Sequence, residues 1–351
     1  MVLNFRIAKS PLSGQENEQI LEEYNRLTSS QIPLNEFVHW VQNGPAGTAW
    51  HAILETDEGR IVGHTSVFPL RTAFGDSSLV PAKSEYSFMH EDFRSAKIRG
   101  LENVSKPVFI IILDQLFQHC IAQGWGPIFA STGEKNQVFT RRVGLRPLEF
   151  ALSECLLILR PLSGSRHTPN LTRNQRIALF GVGLLQYGPW TIASALPRLN
   201  GVHTAPLTPA PMHQERERLS FFEDPDSLGW RYLGNQYVQF SFHGAPEDYV
   251  IAKKGDKERY LRVCQWHLGA TSSLFPLIQA LVEEARRQKA MGVRWAVCES
   301  GEVSKKIVRQ LQTAGFFCRP RTRIVMVHKQ KSEFLDTSKW NMNDSLFSFD
   351  P

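Results

Sequence analysis

Hydrophobic and polar positions along the first 160 residues predict strands and helices in alternation. Apolar residues at helical spacing over 15–27 predict an amphipathic helix after a short strand at 4–8. Two apolar runs flank the turn sequence Asp-Glu-Gly at 57–59 and predict a β-hairpin. The next predicted elements are a strand, a helix, a strand, a short helix and a strand, at 83–90, 107–123, 125–132, 136–143 and 152–160.

The second half of the chain repeats this pattern after a different kind of segment. Residues 161–219 combine an apolar patch at 177–196 with a Pro-rich stretch, which favours a helical connector packed between domains over a segment lying on a membrane. Strands at 237–244, 248–255 and 259–268 are followed by a helix, a strand, a helix and a strand, at 274–290, 293–300, 304–314 and 323–328. The polar residues 331–351 are predicted to form a frayed tail.

Three pairs of glycines recur at nearly constant offsets in the two halves. The offset is 168 residues for the first two pairs and 171 for the third, the pairs being Gly124–Gly292, Gly133–Gly301 and Gly144–Gly315. The same order of predicted elements surrounds each pair. The chain is therefore predicted to contain two tandem copies of one mixed α/β fold, at 1–160 and 220–330, joined by the connector 161–219.

The composition agrees with two globular domains. The 351 residues are 42% apolar and 21% charged, which excludes a wholly disordered chain. No apolar run reaches the roughly 18–20 residues of a membrane-spanning helix. Because the N-terminus also lacks the apolar core of a signal peptide, we expect a soluble cytoplasmic protein without a membrane span.

Charge and metal-ligand chemistry narrow the classes of partner. The net charge of +6 favours anionic partners, but the basic residues form no continuous run, which argues against nucleic acid. The five cysteines have no CxxC spacing and are predicted to be buried thiols rather than disulfides or zinc ligands. The histidine spacings form no metal set, so no metal is expected.

The order of a strand meander, a basic glycine-containing loop, a helix, a strand, a helix ending in Gly and an apolar residue, and a last strand resembles the GNAT acyltransferase superfamily. The residues that carry this resemblance lie at 83–100, 136–145 and 305–316. The resemblance implies two tandem modules, each with a mixed, mostly antiparallel sheet flanked by helices. It also implies an acyl-CoA-dependent N-acyltransferase, in which a small-molecule amine or amino sugar attacks the donor directly in a ternary complex.

The resemblance also implies where the donor, acetyl-CoA or another acyl-CoA, is bound. Helix N-termini offer free N–H groups to phosphates, and in this superfamily the loop after the fourth strand brings the coenzyme A phosphates to such a helix. The implied donor residues are Phe88, Met89, His90, Arg94, Lys97, Arg99, Gly100 and Asn136. This loop has one glycine where the superfamily pattern has two, which keeps an acyl carrier protein open as the donor.

An amine acceptor must lose a proton during the reaction, so a carboxylate near the donor is expected to act as the base. Glu85 on the fourth strand is the candidate base. The tyrosine that often serves as the acid four residues before the glycine is replaced by Thr140, and the alternatives for the acid are Ser153, Glu154 and Cys155 on the last strand. The cluster Trp230, Arg231 and Tyr232 could line the acceptor groove or pack the domains together.

The loop at 269–273 lacks basic residues, so the second module is predicted to be degenerate as a donor site. Two functions other than acyl-CoA-dependent transfer also fit the sequence. If the first module has also lost its chemistry, the protein is a binding or regulatory module without catalysis. Alternatively, it is a carrier- or tRNA-dependent transferase of the Fem type, since those proteins also pair two such modules.

Overall fold

A mixed sheet of 13 strands runs through the part of the molecule that the structure describes. In this computed structural model the described residues are 2–73, 79–101, 105–131, 140–160, 172–174, 177, 180–181, 183–186, 202–205, 219–221, 225–232, 236–242, 245–253, 260–269, 273–298 and 302–340. Three neighbouring pairs of strands in the sheet are parallel, and the other neighbours are antiparallel. This is the mixed, mostly antiparallel architecture that the sequence predicts.

The first half contributes strands, two helices near the N-terminus and one long central helix. Their bounds are β1 (Val2–Lys9), α1 (Gly14–Thr28), α2 (Leu34–Gln42), β2 (Trp50–Glu55), β3 (Ile61–Pro69), β4 (Thr72–Ala73), β5 (Val80–Met89), β6 (Lys97–Ile98), α3 (Val108–Ala122), β7 (Trp125–Ser131) and β8 (Leu145–Ile158). Helix α1 begins at a capping box, in which Ser13 and Glu16 bond each other's backbone N–H groups. The hydrophobic pattern does not predict α2, which is only 9 residues long.

The second half contributes a similar series. Its elements are β9 (Val202–Ala205), β10 (Ser220–Phe221), α4 (Pro225–Arg231), β11 (Tyr237–Phe242), β12 (Ala245–Lys253), β13 (Tyr260–His267), α5 (Phe275–Arg287), β14 (Gly292–Cys298), α6 (Glu302–Thr313) and β15 (Phe317–His328). The short β10 pairs with β4 in a separate two-stranded sheet.

The two halves exchange their final strands. The order in the large sheet is β6-β1-β2-β3-β5-β7-β15-β8-β14-β13-β12-β11-β9. The end of β15, from the second half, pairs with β7 of the first half, while the end of β8 pairs with β14 of the second. β8 and β15 also pair with each other over the full length of β15. The hydrophobic pattern does not predict this exchange, and it makes one continuous sheet out of two modules.

Helices cover the sheet on both faces, and this arrangement places the hydrophobic cores. α1 and α2 pack on one face of the first half, with Phe37 and Trp40 buried against Tyr86 and Phe88. α3 covers the opposite face of that half. α5 and α6 cover the same opposite face of the second half, around the fully buried Trp295.

The polar tail is not frayed over its first ten residues, contrary to the prediction. Phe334 and Trp340 are completely buried in the core beneath α1 and α2. The Trp340 ring packs edge-on against Phe129 at 5.5 Å, and its Nε1–H donates to the Phe334 carbonyl at 2.9 Å. Burial of these two aromatic side chains stabilises the position of a segment whose other residues are mostly polar. Residues 341–351 lie outside the described part.

A disulfide joins Cys155 and Cys318, which corrects the prediction of buried thiols for these two residues. They lie directly opposite each other on β8 and β15, the exchanged strands. They are 163 residues apart, so no short cysteine spacing in the sequence indicates this bond. The other three cysteines are buried thiols, as predicted.

Of the three glycine pairs predicted to correspond in the two halves, one is confirmed and one is wrong. Gly144 and Gly315 correspond: each has a positive φ and follows a helix just before β8 or β15. The left-handed residue after α3 is Gly124, but its counterpart after α5 is Lys289, with φ 59°, rather than Gly292. Gly133, Gly301 and most of the connector lie outside the described residues. The described Gln186 of the connector bonds the Ile158 N–H and the Gly315 carbonyl.

Candidate functional site: a splayed strand pair with a bulge

Strands β5 and β7, which correspond to the fourth and fifth strands predicted from the sequence, separate part-way along their length. The parallel ladder between β5 and β7 begins at Val80 and ends where Lys83 pairs with Phe129. β5 continues to Met89 and β7 continues to Ser131, and within the described residues no ladder joins those ends. The last part of β5 therefore presents a backbone edge that β7 does not cover.

A β-bulge lies in this uncovered part of β5. On one side of it Ser66 of β3 pairs with Glu85, and on the other His64 pairs with Phe88. Thr65 thus faces two residues, Tyr86 and Ser87. Tyr86 has φ 52°, in the left-handed region, which is uncommon for a bulky residue and marks a position held by its surroundings.

Side chains of β3 hold the bulge by hydrogen bonds. Ser66 Oγ donates to the Glu85 carbonyl at 3.0 Å, and His64 Nδ1 lies 2.8 Å from the Tyr86 carbonyl. The hydroxyls of Thr65 and Ser87 are 2.7 Å apart. Each of the three bulge residues is therefore tied to one of three consecutive residues of β3.

Two aromatic rings from the N-terminal helices fix the Tyr86 side chain. Tyr24 of α1 meets the Tyr86 ring edge-on at 5.4 Å, and Phe37 of α2 does so at 4.9 Å. The Tyr86 side chain is 4% exposed, so its hydroxyl is desolvated and burial raises its pKa well above the ordinary value. Tyr86 is consequently a neutral packing residue at neutral pH.

Glu85, the predicted base, lies beside a buried lysine. Lys83 Nζ and Glu85 Oε2 are 2.6 Å apart, and the Lys83 side chain is 1% exposed against 22% for Glu85. A buried ammonium requires a nearby anion, because an uncompensated buried charge is strongly destabilising. Lys83 is not among the site residues predicted from the sequence, although it lies two residues before Glu85 and so on the same face of the strand.

The predicted donor residues lie at the end of β5 and in the loop that follows. Phe88 and Met89 end the strand, and His90 caps a short turn of 3-10 helix at Glu91–Phe93. Phe93 is buried and anchors the loop, whereas Arg94, Lys97 and Arg99 are exposed. Arg99 pairs with Asp57 at 2.9 Å in an exposed ion pair. Gly100 has φ 79°, a conformation that favours glycine.

The loop leads into the N-terminus of α3. Pro107 is the N-cap residue, no side chain caps the helix, and its first turn carries no acidic residue. The first N–H groups of this 15-residue helix are thus able to bind an anion. Lys106 adds a positive charge beside it, paired with Asp114 at 3.1 Å. Residues 102–104 of the loop and the predicted Asn136 lie outside the described residues.

Glu154 is far from this slot and is held by arginines. It lies on β8 opposite Arg319, and three strand spacings separate β5 from β8, which is roughly 14 Å. Arg294 and Arg321 also contact its carboxylate, at 3.0 and 3.2 Å. Burial raises the pKa of Glu154, but the Arg319 hydrogen bond and the charges around it outweigh burial, and the pKa is below its ordinary value. The structure does not bring Glu154 and Glu85 together.

Trp230 and Tyr232 pack in two different places. Trp230 on α4 meets Trp40 of α2 edge-on at 5.0 Å, and its carbonyl is 2.9 Å from His39 Nε2. Tyr232 donates from its hydroxyl to Gln265 of β13 at 2.5 Å. Arg231 between them is 6% exposed. These contacts are the domain packing that the sequence leaves open as one reading, and a role in an acceptor groove stays a prediction.

The second half has a splay of its own. The β13–β14 ladder ends where Val263 pairs with Trp295, and a bulge at Cys264 follows at once. Gln265 is almost completely buried, and its amide donates to the Tyr249 hydroxyl at 2.9 Å. Cys264 and Gln265 follow the last paired residue of this splay, in the region where the first half has Lys83 and Glu85, and neither side chain is a carboxylate or an ammonium.

Solved structures share this architecture. No protein-family model matches the sequence, and no curated protein matches it. A tandem GNAT protein from the clavulanic acid biosynthesis pathway is 12% identical, with a TM-score of 0.55 over 92% of this chain and 98% of that chain. A conserved protein from Enterococcus faecalis is 10% identical, with a TM-score of 0.54 over 92% and 72%. A GCN5-related N-acetyltransferase from Anabaena variabilis is 12% identical, with a TM-score of 0.50 over 92% and 72%.

These likenesses concern the fold, since the sequence identities are low. Three features agree with this shared fold: the order of elements, the parallel pairs β5–β7 and β13–β14, and the splay within each pair. Among the described helices, none is long and apolar enough to cross a bilayer. The chain has the fold of the GNAT N-acetyltransferases, arranged as two modules in tandem.

Proposed function

We propose that the protein transfers an acyl group from an acyl-CoA thioester, such as acetyl-CoA, to the amine of a small molecule. The observation that carries the proposal is the first-half slot, where the bulged end of β5 separates from β7 beside the carboxylate of Glu85. In this proposal residues 1–160 form the donor-binding module, 161–219 the connector and 220–330 a degenerate second module, in a cytoplasmic protein.

The donor is proposed to lie along the uncovered edge of β5. The backbone of Phe88, Met89 and His90 would bond the pantetheine amides, as an added strand would. The coenzyme A phosphates would lie at the N-terminus of α3, close to Arg94, Lys97 and Arg99. Support comes from the exposure of these three side chains and from the absence of acidic residues in the first turn of α3. An acyl carrier protein presents the same pantetheine arm and is the alternative donor.

Glu85 is proposed to take the proton that the amine loses. The amine nitrogen forms a bond to the thioester carbonyl carbon and the C–S bond breaks. The thiolate takes a proton from solvent water, to which Glu85 returns the proton of the amine. Lys83 supports this role because its ammonium group, 2.6 Å from Oε2, holds the neighbouring carboxylate in place. Glu154, a candidate acid, is held ionised among arginines on β8 and so carries no proton to donate at neutral pH.

The donor half of the proposal is tested by titrating the protein with acetyl-CoA in a calorimeter. Arg94→Ala and Arg99→Ala should each weaken binding by about threefold to tenfold, the range expected when one partly exposed phosphate contact is lost. Arg26→Ala is the matched control, because Arg26 is an exposed arginine on α1 that pairs with Glu23 of the same helix. Binding that is unaffected by both loop variants would contradict the placement of the phosphates.

Two further results would redirect the assignment. Binding of a phosphopantetheine-loaded carrier protein without binding of acyl-CoA would identify the carrier as the donor. No binding of either donor would favour the reading as a binding or regulatory module without catalysis.

A further inference from the structure

Two fully buried histidines form a chain of hydrogen bonds behind the β5 bulge. Ser10 Oγ is 2.7 Å from His51 Nε2, His51 Nδ1 is 3.0 Å from His64 Nε2, and His64 Nδ1 is 2.8 Å from the Tyr86 carbonyl oxygen. Ser10 follows β1, His51 is on β2 and His64 is on β3, so the chain crosses the sheet to reach β5. None of these side chains is exposed to a substrate.

The carbonyl at the end of the chain determines the direction of every bond in it. A carbonyl only accepts, so His64 Nδ1 carries the proton and donates to Tyr86. His64 Nε2 is then an acceptor and receives the proton of His51 Nδ1. His51 Nε2 in turn accepts from the Ser10 hydroxyl. Both imidazoles are neutral in this scheme, which agrees with burial lowering the pKa of each, that of His64 to about 4.

The chain ends on the residue whose backbone is strained. A left-handed φ costs about 1 kcal/mol or more for a residue with a side chain, so Tyr86 keeps it only because its surroundings impose it. His64 holds its carbonyl, while Tyr24 and Phe37 hold its ring. Because the C=O and N–H of a trans peptide point in opposite directions, the bond to the Tyr86 carbonyl also sets the direction of the Ser87 N–H.

We propose that Ser10, His51 and His64 are positioning residues that fix the Tyr86–Ser87 peptide, and thereby the backbone that receives the acyl group of the donor. This inference rests on the proposed function, because the bulge matters for transfer only if the thioester lies along β5. The residues act through the backbone and do not touch the donor. A histidine chain used only for packing would stabilise the fold without affecting how the thioester is held.

The test compares acetyl-CoA with CoA, which lacks the thioester carbonyl. His64→Leu removes the bond to Tyr86 and should weaken acetyl-CoA binding by about tenfold more than CoA binding, the value of one well-oriented hydrogen bond. His64→Asn keeps an amide N–H near the position of Nδ1 and should restore most of the difference. His51→Leu should reproduce His64→Leu more weakly, because it releases His64 without removing it.

Asn17→Leu is the matched control for general destabilisation. Asn17 is 3% exposed on α1 and bonds the Leu12 carbonyl at 3.2 Å, two helical turns before Tyr24, the residue of α1 that meets Tyr86. It should lower the melting temperature while leaving the ratio of acetyl-CoA to CoA affinity unchanged. If His64→Leu weakens acetyl-CoA and CoA equally, the positioning role is wrong and the histidines serve packing alone.

Nuclear magnetic resonance tests the chain without any donor. In the unliganded protein the imidazole ¹⁵N shifts should show both histidines neutral with the proton on Nδ1, and His64→Leu should move the Ser87 amide resonance strongly. Unchanged Ser87 resonances or the opposite tautomer would overturn the chain itself. Failure of the wild type to bind either acetyl-CoA or CoA would instead overturn the proposed function, so the two failures are distinguishable.

Discussion

The two halves place a bulge just past the last residue paired across the splay, but they surround it with different chemistry. In the first half Lys83 and Glu85 form an ion pair there, and His64, Thr65 and Ser66 of the third strand bond the bulge. In the second half Cys264 and Gln265 follow the last paired residue, and the opposing strand offers Ile251 and Ala252. The same backbone arrangement is thus polar and charged in one module and neutral in the other.

The two modules therefore share a fold without sharing the side-chain chemistry of the slot. The backbone splay needs only a bulge and a parallel ladder that stops early, and both modules keep it. The proposed proton transfer needs a carboxylate at the slot, and among the described residues at these two bulges only the first module has one, Glu85. For this reason the acyl-donor site is proposed for the first module alone.

The tail adds a second asymmetry, since it buries Trp340 in the first-half core. Trp340→Ala should lower the free energy of unfolding by about 3–5 kcal/mol, the usual result of truncating a fully buried aromatic residue. Urea denaturation measures the loss. Phe317→Ala is the control, because Phe317 is 51% exposed on β15 and its removal should cost little.

Hydrogen exchange would show whether the Trp340 loss is confined to one half. Because β8 and β15 are exchanged between the halves, we expect β14 and α5 to lose protection along with α1 and α2. Protection that falls only around α1 and α2 would contradict cooperative unfolding through the shared strands.

Acid should destabilise the first half through its buried histidines. The unfolded His64 has a pKa near 6.5 and the folded one near 4, so the unfolded state binds more protons in this window. Stability therefore falls as the pH drops from about 6.5 to about 4, by about 3 kcal/mol from His64 alone. His51, whose pKa burial also lowers, adds to the loss.

Denaturation curves across that pH range measure this effect, with His64→Asn as the comparison. The variant should be less stable at neutral pH but lose less stability on acidification. An equal slope in both proteins would show that other groups carry the pH dependence. His328 is one such group, since burial lowers its pKa as well.

The sequence predicted the elements of each module better than their partners. Helical spacing located α1 and α5 within a few residues, because each helix follows from its own apolar stripe. The exchange of β8 and β15 depends on which strand edges meet, and the pattern along either strand does not contain that information. For the same reason, the Cys155–Cys318 disulfide could not be predicted. The Lys83–Glu85 pair is local, since residues two apart on a strand share a face, but the pattern along β5 does not show that Lys83 is buried.

The candidate site was predictable only in part. Glu85 and the basic loop came from the resemblance, and the uncovered end of β5 agrees with their placement. His64 is not among the site residues predicted from the sequence, because a histidine on a strand carries no signal of its partner. Its contact with Tyr86 depends on the bulge, which is set by pairing between β3 and β5.

Exchanging Glu85 for glutamine removes the carboxylate from the first slot, while the neighbouring Lys83 keeps its positive charge. Glu85→Gln should reduce turnover by about 100-fold, equivalent to about 2.7 kcal/mol, because a positioned base is lost. Donor affinity should hardly change, since the amide keeps the shape of the side chain. Release of the CoA thiol from acetyl-CoA in the presence of primary amines measures turnover, and calorimetry measures affinity. Unchanged turnover would remove Glu85 from the mechanism.

The smallest effect is expected at the corresponding polar residue of the second slot. Gln265 bonds the hydroxyls of Tyr232 and Tyr249 inside the protein, so Gln265→Leu should cost about 1–3 kcal/mol of stability by leaving two buried hydroxyls short of a partner. Turnover and acetyl-CoA affinity should stay the same, because this amide only packs the second module. If Gln265→Leu abolished turnover while Glu85→Gln did not, the active slot would be in the second half, and the comparison would have to be reversed.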